Sequence, residues 1–328
     1  MNLDNALNID EFLSHAFDGN RYKDWKNVTV SINCECADIP VKVIKKPENK
    51  ELCDKLVFFF HGAIDRKKRS LPVFEGNFLK NIDIEGALVI SIADPTLNIS
   101  DELGVTWYAG IKDLDLPVFL DYLFKKIIDE INPSKVLFSG GSIGGYPALA
   151  HAAKIKNSIV VLRNPILNIK NYFSGHIERY AKYGWSASNL NDIENYVVWD
   201  AADCYMKYKD NNVKIIYIQN PSDHHFWMQA VGFLQKINDL NKKDKEYILF
   251  ISSHHTGYVG HRFPPNEWGR WVKAACEDDT NSVLGIADKY ELLRKEDEKD
   301  RAYELKVVAS EAGFEADEIA IQSKISNL

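Results

Sequence analysis

Apolar residues along this chain come in two textures. Over residues 28–36 and 39–44 they alternate with polar ones, which predicts two half-buried strands joined by a turn near Asp38. Alternation then gives way to short unbroken apolar runs at residues 56–60, 87–92, 136–138, 159–162, 215–218 and 247–251. Such runs are the mark of strands covered on both faces, as in a parallel sheet with helices on each side. Helical patterns lie between them, at residues 116–131, 146–154, 226–237 and 266–275. The predicted class is therefore α/β, with a doubly wound, mostly parallel sheet whose functional site gathers beyond the carboxyl ends of the strands.

Two stretches depart from the alternation. Residues 166–212 separate two predicted strands by far more than a βα loop needs, which predicts an inserted helical cap. At the C-terminus, Ala302, Leu305, Val308, Ala309 and Ala312 recur at helical spacing before a break at Gly313, and a short alternating piece follows over residues 318–321. Ile9, Phe12, Leu13 and Phe17 predict a helix near the N-terminus. The expected organisation is an N-terminal helix and leading loop (1–26), a main domain (27–278) carrying the cap, and a helical C-terminal extension (279–328).

Composition supports one main domain: 45% of the 328 residues are apolar and 12% aromatic, enough for a large core. The net charge of −7 is unevenly placed. Residues 1–276 hold 33 acids and 33 bases, whereas residues 277–328 hold 14 acids and 7 bases, so the acidic excess belongs to the extension. A charge-balanced body argues against phosphate-backbone binding and hence against a nucleic-acid partner. No apolar run approaches the roughly 20 residues of a bilayer crossing. The sequence around Met1 lacks a basic segment followed by an apolar one, and a cytoplasmic protein is expected. Five cysteines, an odd number without metal-knuckle spacing, suit free thiols, and no metal is expected. The apolar stripe of the extension must pack on the body or on a second subunit, and self-association is the favoured expectation.

The chemistry concentrates in Gly140-Ser142-Gly144, a Gly-x-Ser-x-Gly pattern between a predicted strand and a predicted helix. A serine on so sharp a turn is lifted to the top of the sheet, and its neighbours at ±2 must be glycine to avoid collision. The N–H of Ile143, at the helix start, can meet developing negative charge. Residues 56–60 run into His61-Gly62-Ala63, where Gly62 lets the chain turn so that the N–H of Ala63 becomes a second oxyanion donor. His61 itself reads as a structural histidine.

At Ser142 and His61-Gly62 the chain resembles the α/β-hydrolase fold superfamily, over about residues 25–278. In that family an acid and a histidine follow the serine from the loops after two later strands. The resemblance therefore implies Asp223, in Gln219-Asn220-Pro221-Ser222-Asp223, as the acid and His261, in Gly260-His261-Arg262-Phe263-Pro264, as the base. His255, nearer its strand end, is the competing base. Asp94 is the competing acid, although Asp94-Pro95 reads more simply as a turn. A Ser-His-Asp set implies an acyl-serine intermediate, resolved by water in an esterase or by another hydroxyl in an acyltransferase.

The cap holds nine aromatic residues, six of them tyrosines, among them Tyr183 and beside it Trp185. Flat apolar faces with polar edges suit sugars better than fatty chains. Asp65-Arg66-Lys67-Lys68-Arg69 follows the oxyanion loop, and Arg66 and Arg69 are candidates for holding an anionic substrate such as an acidic glycan or the phosphates of coenzyme A. Residues 90–97 with Trp107-Tyr108-Ala109-Gly110 are similar to hydrolase-like proteins of bacterial capsule and glycan assembly, some of which are glycan O-acetyltransferases. This second resemblance implies a small-molecule ester or glycan substrate, with no bound cofactor and acetyl-coenzyme A as a candidate acyl donor. The reading from a different class is a noncatalytic glycan-binding or assembly protein on the same frame.

Overall fold

The computed structural model describes residues 6–17, 29–33, 38–252 and 258–311. Among the described residues nine strands form one sheet: β1 (Ala6–Leu7), β2 (Thr29–Asn33), β3 (Asp38–Lys45), β4 (Lys55–Phe60), β5 (Ala87–Ile92), β6 (Lys135–Gly141), β7 (Ile159–Arg163), β8 (Lys214–Gln219) and β9 (Ile248–Ser252). Their spatial order is β1-β2-β3-β5-β4-β6-β7-β8-β9. β3 runs antiparallel to both β2 and β5, whereas β5, β4, β6, β7, β8 and β9 are all parallel. The chain leaves β4 to one side for β5 and returns to the other side for β6. That reversal opens a crevice beyond the end of β4, the switch point where α/β sheets bind ligands.

The unbroken apolar runs are explained by two cores, one on each face. In β4, Leu56, Phe58 and Phe60 point into the first core, and Val57 and Phe59 into the second. The first is covered by α1 (Ile9–Phe17), α2 (Leu116–Ile131), α3 (Gly145–Ala152) and the cap, and the second by a pair of C-terminal helices. α2 begins where the Asp115 side chain accepts the N–H of Val118 and ends at Asn132, in the left-handed conformation. Phe58 packs against Phe124 of α2 (centroids 4.6 Å) and Phe138 of β6 (5.2 Å). Phe58→Ala should therefore lower unfolding free energy by about 3–5 kcal/mol in a urea titration, since this fully buried ring leaves a cavity between two packed layers. β9 is the exception among the predicted runs. It lies at the sheet edge, and its residues are only half-buried.

The segment 166–212 is made of α4 (Ser174–Arg179), α5 (Ala201–Lys207) and short helical turns around them. After β8 come α6 (Val231–Ile237) and α7 (Lys242–Lys245), then α8 (Pro265–Glu277) and α9 (Val283–Glu311). α9 corrects the expectation of an extension lying outside the main domain. Val283, Ile286, Tyr290 and Leu293 are buried in the second core, with Tyr290 stacked on Trp271 at 3.9 Å. Arg270 pairs with Glu267 within α8 and with Asp297 of α9 across the two helices. The body of the fold thus runs on to residue 293. Ala312, Gly313 and the piece at 318–321 lie outside the described residues, as do residues 34–37, which include the end of the first predicted strand, and no described helix is long and apolar enough to cross a membrane.

Candidate active site

β6 turns into α3 through Ser142, whose φ of 54° is in the left-handed region. The turn is possible only because its neighbours lack side chains. A Cβ on Gly140 would stand 2.0 Å from the carbonyl oxygen of Gly144, and one on Gly144 would stand 2.5 Å from that of Phe60. Gly62 faces the serine, its own Cβ position lying 3.4 Å from Cβ of Ser142. Ser142 is half-buried and opens into a cavity of about 340 Å³ with His61, Gly62, Ala63, His224, His225 and His261. Ala63 lines this cavity beside Ser142, and Ile143 stands in the first turn of the helical segment, where backbone N–H groups lack intrahelical acceptors.

Asp223 lies in the loop after β8 and is buried. Its Oδ2 is 2.6 Å from Nδ1 of His261, and its Oδ1 accepts the N–H of His225 at 3.0 Å. Burial pushes the Asp223 carboxyl up, but the hydrogen bonds from His261 and His225 outweigh it and hold the group below its ordinary range. A carboxylate on Nδ1 leaves Nε2 of His261 as the nitrogen free to take a proton. His255 lies outside the described residues.

Several residues that sequence reasoning missed hold the two loops together. Asn220 Nδ2 donates to the Tyr258 carbonyl at 2.9 Å, and Ser222 Oγ accepts the Gly260 N–H at 2.9 Å. Asn164, just past β7, accepts the N–H of Asn220 at 2.7 Å and donates to the His261 carbonyl at 3.2 Å. Arg163 donates to the same carbonyl at 3.3 Å, and Gln219 reaches Asp223 Oδ2 at 3.4 Å. Asn and Ser in loops carry no periodic signal, although the cluster at 219–223 marks a tight turn. His225, whose ring stacks on Tyr172 and meets His261 edge-on at 5.4 Å, is kept neutral, with burial and then His224 pushing it down to about 4.

His61, expected to be structural, and Asp94, the competing acid, both have duties in the scaffold. His61 accepts the Asp94 N–H on Nε2 at 3.2 Å, so Nδ1 carries the proton and donates to the Gly62 carbonyl at 2.7 Å. Burial lowers its affinity for a second proton. Asp94 caps the turn that follows β5, accepting from Thr96, Thr106 and the N–H of Tyr108, and is thereby satisfied away from the serine. Among the expected substrate contacts, Arg69 lines the cavity and Arg66 does not. Arg66 instead braces the loop, donating to the carbonyls of Leu97 and Leu103 and pairing with Asp101 at 2.7 Å. Tyr183 and Trp185 also lie off the cavity, where Trp185 tilts against Tyr196. The cap presents Tyr172 and Phe173 to it instead.

Asp223, His225 and His261 each bring a ligand atom within 4.8 Å of the others, a spacing seen in metal sites. Two ligands of one zinc ion, each about 2.1 Å from it, stand well over 3 Å apart. The 2.6 Å between Asp223 and His261 is instead that of a charge-assisted hydrogen bond, so the trio does not fit a metal as it stands.

No family model and no curated protein matches the chain in sequence. Solved structures match in fold. The capsule O-acetyltransferase of Neisseria meningitidis serogroup A superimposes with a TM-score of 0.54 at 14% identity, over 81% of this chain and 99% of that one. The fluorophosphonate-binding serine hydrolase F of Staphylococcus aureus gives a TM-score of 0.51 at 12% identity, over 79% and 97%. A glycosylation-associated protein complex from Streptococcus agalactiae gives 0.45 at 17% identity over 72% of this chain, which spans 43% of that chain's length. The strand order, the serine turn and the first two likenesses, which cover about four fifths of this chain and nearly the whole of each neighbour, show that the chain has an α/β-hydrolase fold.

Proposed function

We propose that the protein is a serine acyl-transfer enzyme acting on an ester of a polar, carbohydrate-type substrate. The observation that carries this reading is the Asp223–His261 hydrogen bond of 2.6 Å, on the wall of the cavity that holds a serine with a φ of 54°. In this scheme Ser142 Oγ attacks the ester carbonyl while Nε2 of His261 takes its proton, and Asp223 stabilises the imidazolium that forms. The N–H groups of Ile143 and Ala63 receive the charge on the carbonyl oxygen. His261 returns the proton to the departing alcohol or thiol, leaving an acyl-serine. A second hydroxyl then attacks, its proton passing to His261 and on to Ser142 as the acyl group leaves.

A polar substrate is supported by the cavity lining, in which four histidines, two arginines and Glu75 outnumber the aliphatic side chains of Ala63 and Val73. A fatty chain would need the reverse. Water as the second hydroxyl makes the protein an esterase. A sugar hydroxyl, with acetyl-coenzyme A as donor, makes it an O-acetyltransferase, the activity that the name of the Neisseria structure carries. A fluorophosphonate probe tests the shared step. The wild type should label and Ser142→Ala should not; an unlabelled wild type rejects the mechanism in favour of a noncatalytic binding protein, and a labelled variant removes Ser142 as the nucleophile.

A further inference from the structure

The cavity contains an unusual cation. Arg163, at the end of β7, lies against the residue preceding the serine: a Cβ on Gly141 would stand 2.8 Å from Arg163 Nε and 2.9 Å from Nη2. Its guanidinium is packed over the rings of Trp268 (4.9 Å) and Phe263 (5.9 Å) and gives one hydrogen bond, to the His261 carbonyl. Its Nε is buried without a partner, and no ion pair reaches it among the described residues. The carboxylates of Glu75 and Asp223 act on this half-buried cation but form no ion pair with it among the described residues. Arginine does not escape by deprotonating, so an anion entering the cavity would relieve the cost of holding it there.

Arg69 lines the same cavity and is likewise in no ion pair among the described residues, in contrast to Arg66 on Asp101 and Lys68 on Asp65. Among the described residues lining the cavity, Glu75 alone carries a carboxyl, and its charge acts on both arginines although it forms no ion pair with either. Burial pushes Glu75 up, opposed by Arg163 and Arg69.

We propose that Arg163 and Arg69 form an anion subsite beside Ser142, and that the ester substrate is a sugar bearing a carboxylate close to its acyl group. This inference deepens the acyl-transfer reading and rests on it. The position of Arg163 selects the source of the anion. A guanidinium next to Gly141 is reached by an anion a few bonds from the reacting carbonyl, as on an acidic sugar. The phosphates of coenzyme A are separated from their thioester by the whole pantetheine arm. The planar fork of arginine matches a carboxylate with two parallel hydrogen bonds.

Calorimetric titration of the Ser142→Ala protein tests this without turnover, using acetylated methyl glucuronide against acetylated methyl glucoside, with coenzyme A as the third arm. The glucuronide should bind roughly tenfold or more tightly than the glucoside, as expected for one charge-assisted hydrogen-bonded pair. Arg69→Gln, at an exposed position, should shrink that ratio, and added salt should shrink it as well. Arg163→Gln should remove most of the ratio and Arg163→Lys should restore part of it, with circular dichroism confirming that each variant is folded. Equal affinity for the two sugars, including no binding of either, overturns the proposal. So does a preference that survives both Gln substitutions, or coenzyme A affinity that alone depends on Arg163. Fluorophosphonate labelling is independent of these titrations. A wild type that does not label but prefers the glucuronide would fail the acyl-serine reading and keep the subsite.

Discussion

An Asp223→Asn protein should fold normally and cleave an activated ester about 10⁴-fold more slowly than wild type, the loss typical when the acid of a Ser-His-Asp set becomes an amide. Asp223 Oδ2 stands 2.6 Å from Nδ1 of His261, and its other oxygen is fixed by the N–H of His225. An amide in that place either presents its N–H₂ to Nδ1, driving the ring proton onto Nε2 where it blocks acceptance from Ser142, or presents its oxygen and leaves the imidazolium without a counter-charge. Both outcomes reduce kcat, and neither changes how substrate docks, so KM should move little. Stopped assays with an aryl acetate measure the split. A rate within tenfold of wild type would remove Asp223 from the mechanism. The companion substitution His261→Ala should be at least as damaging, and retention of full activity there with loss in His255→Ala would move the base to His255.

The second large effect is structural. Gly140→Ala places a methyl group 2.0 Å from the Gly144 oxygen and 2.3 Å from its carbonyl carbon. Both atoms are backbone in the turn that carries Ser142, so no side-chain rotation relieves the contact. The expected cost exceeds about 4 kcal/mol, the range reserved for strain or overpacking in a fixed frame. Denaturant unfolding should show a large fall in midpoint, or the protein should be recovered insoluble. Gly232→Ala is the matched control. In α6, with nothing within 4 Å of its Cβ position, it should leave stability unchanged or raise it by up to about 1 kcal/mol.

What was legible in the chain follows from the range of the forces involved. The central strands β4 to β8 were, because covering both faces of a sheet demands unbroken apolar runs, whereas the two-residue β1 is too short to leave a pattern, and α2 matches its predicted span of 116–131. The serine turn was, because its glycines answer a local steric demand. Asp223 and His261 sit 38 residues apart and form a pair only through the fold, so a family order of residues was needed to couple them. Arg66 and Arg69 are equivalent as letters in a basic run. One turn of backbone sends the first to Asp101 and the second to the cavity. Asn164, Asn220 and Ser222 act through backbone partners supplied by other loops, which no pattern announces. The early turns of α9 are a different matter. Val283, Ile286, Tyr290 and Leu293 stand at helical spacing, and that stripe marks a helix belonging to the core rather than an appendage.

The base of the cap sets a boundary for anyone who would exchange it. Ile166 donates to the carbonyl of Ser142 at 2.8 Å, Asn164 and Arg163 hold the carbonyl of His261, and Gln229 bonds Leu167, Asn168 and Asn171. Residues 163–171 therefore belong to the scaffold that holds Ser142 and His261, even though the segment 166–212 departs from the strand and helix alternation at its first residue. A chimera made to alter specificity should keep this stretch and splice beyond it, rejoining before β8. A graft cut directly after β7 would exchange the serine's own backbone support along with the cap.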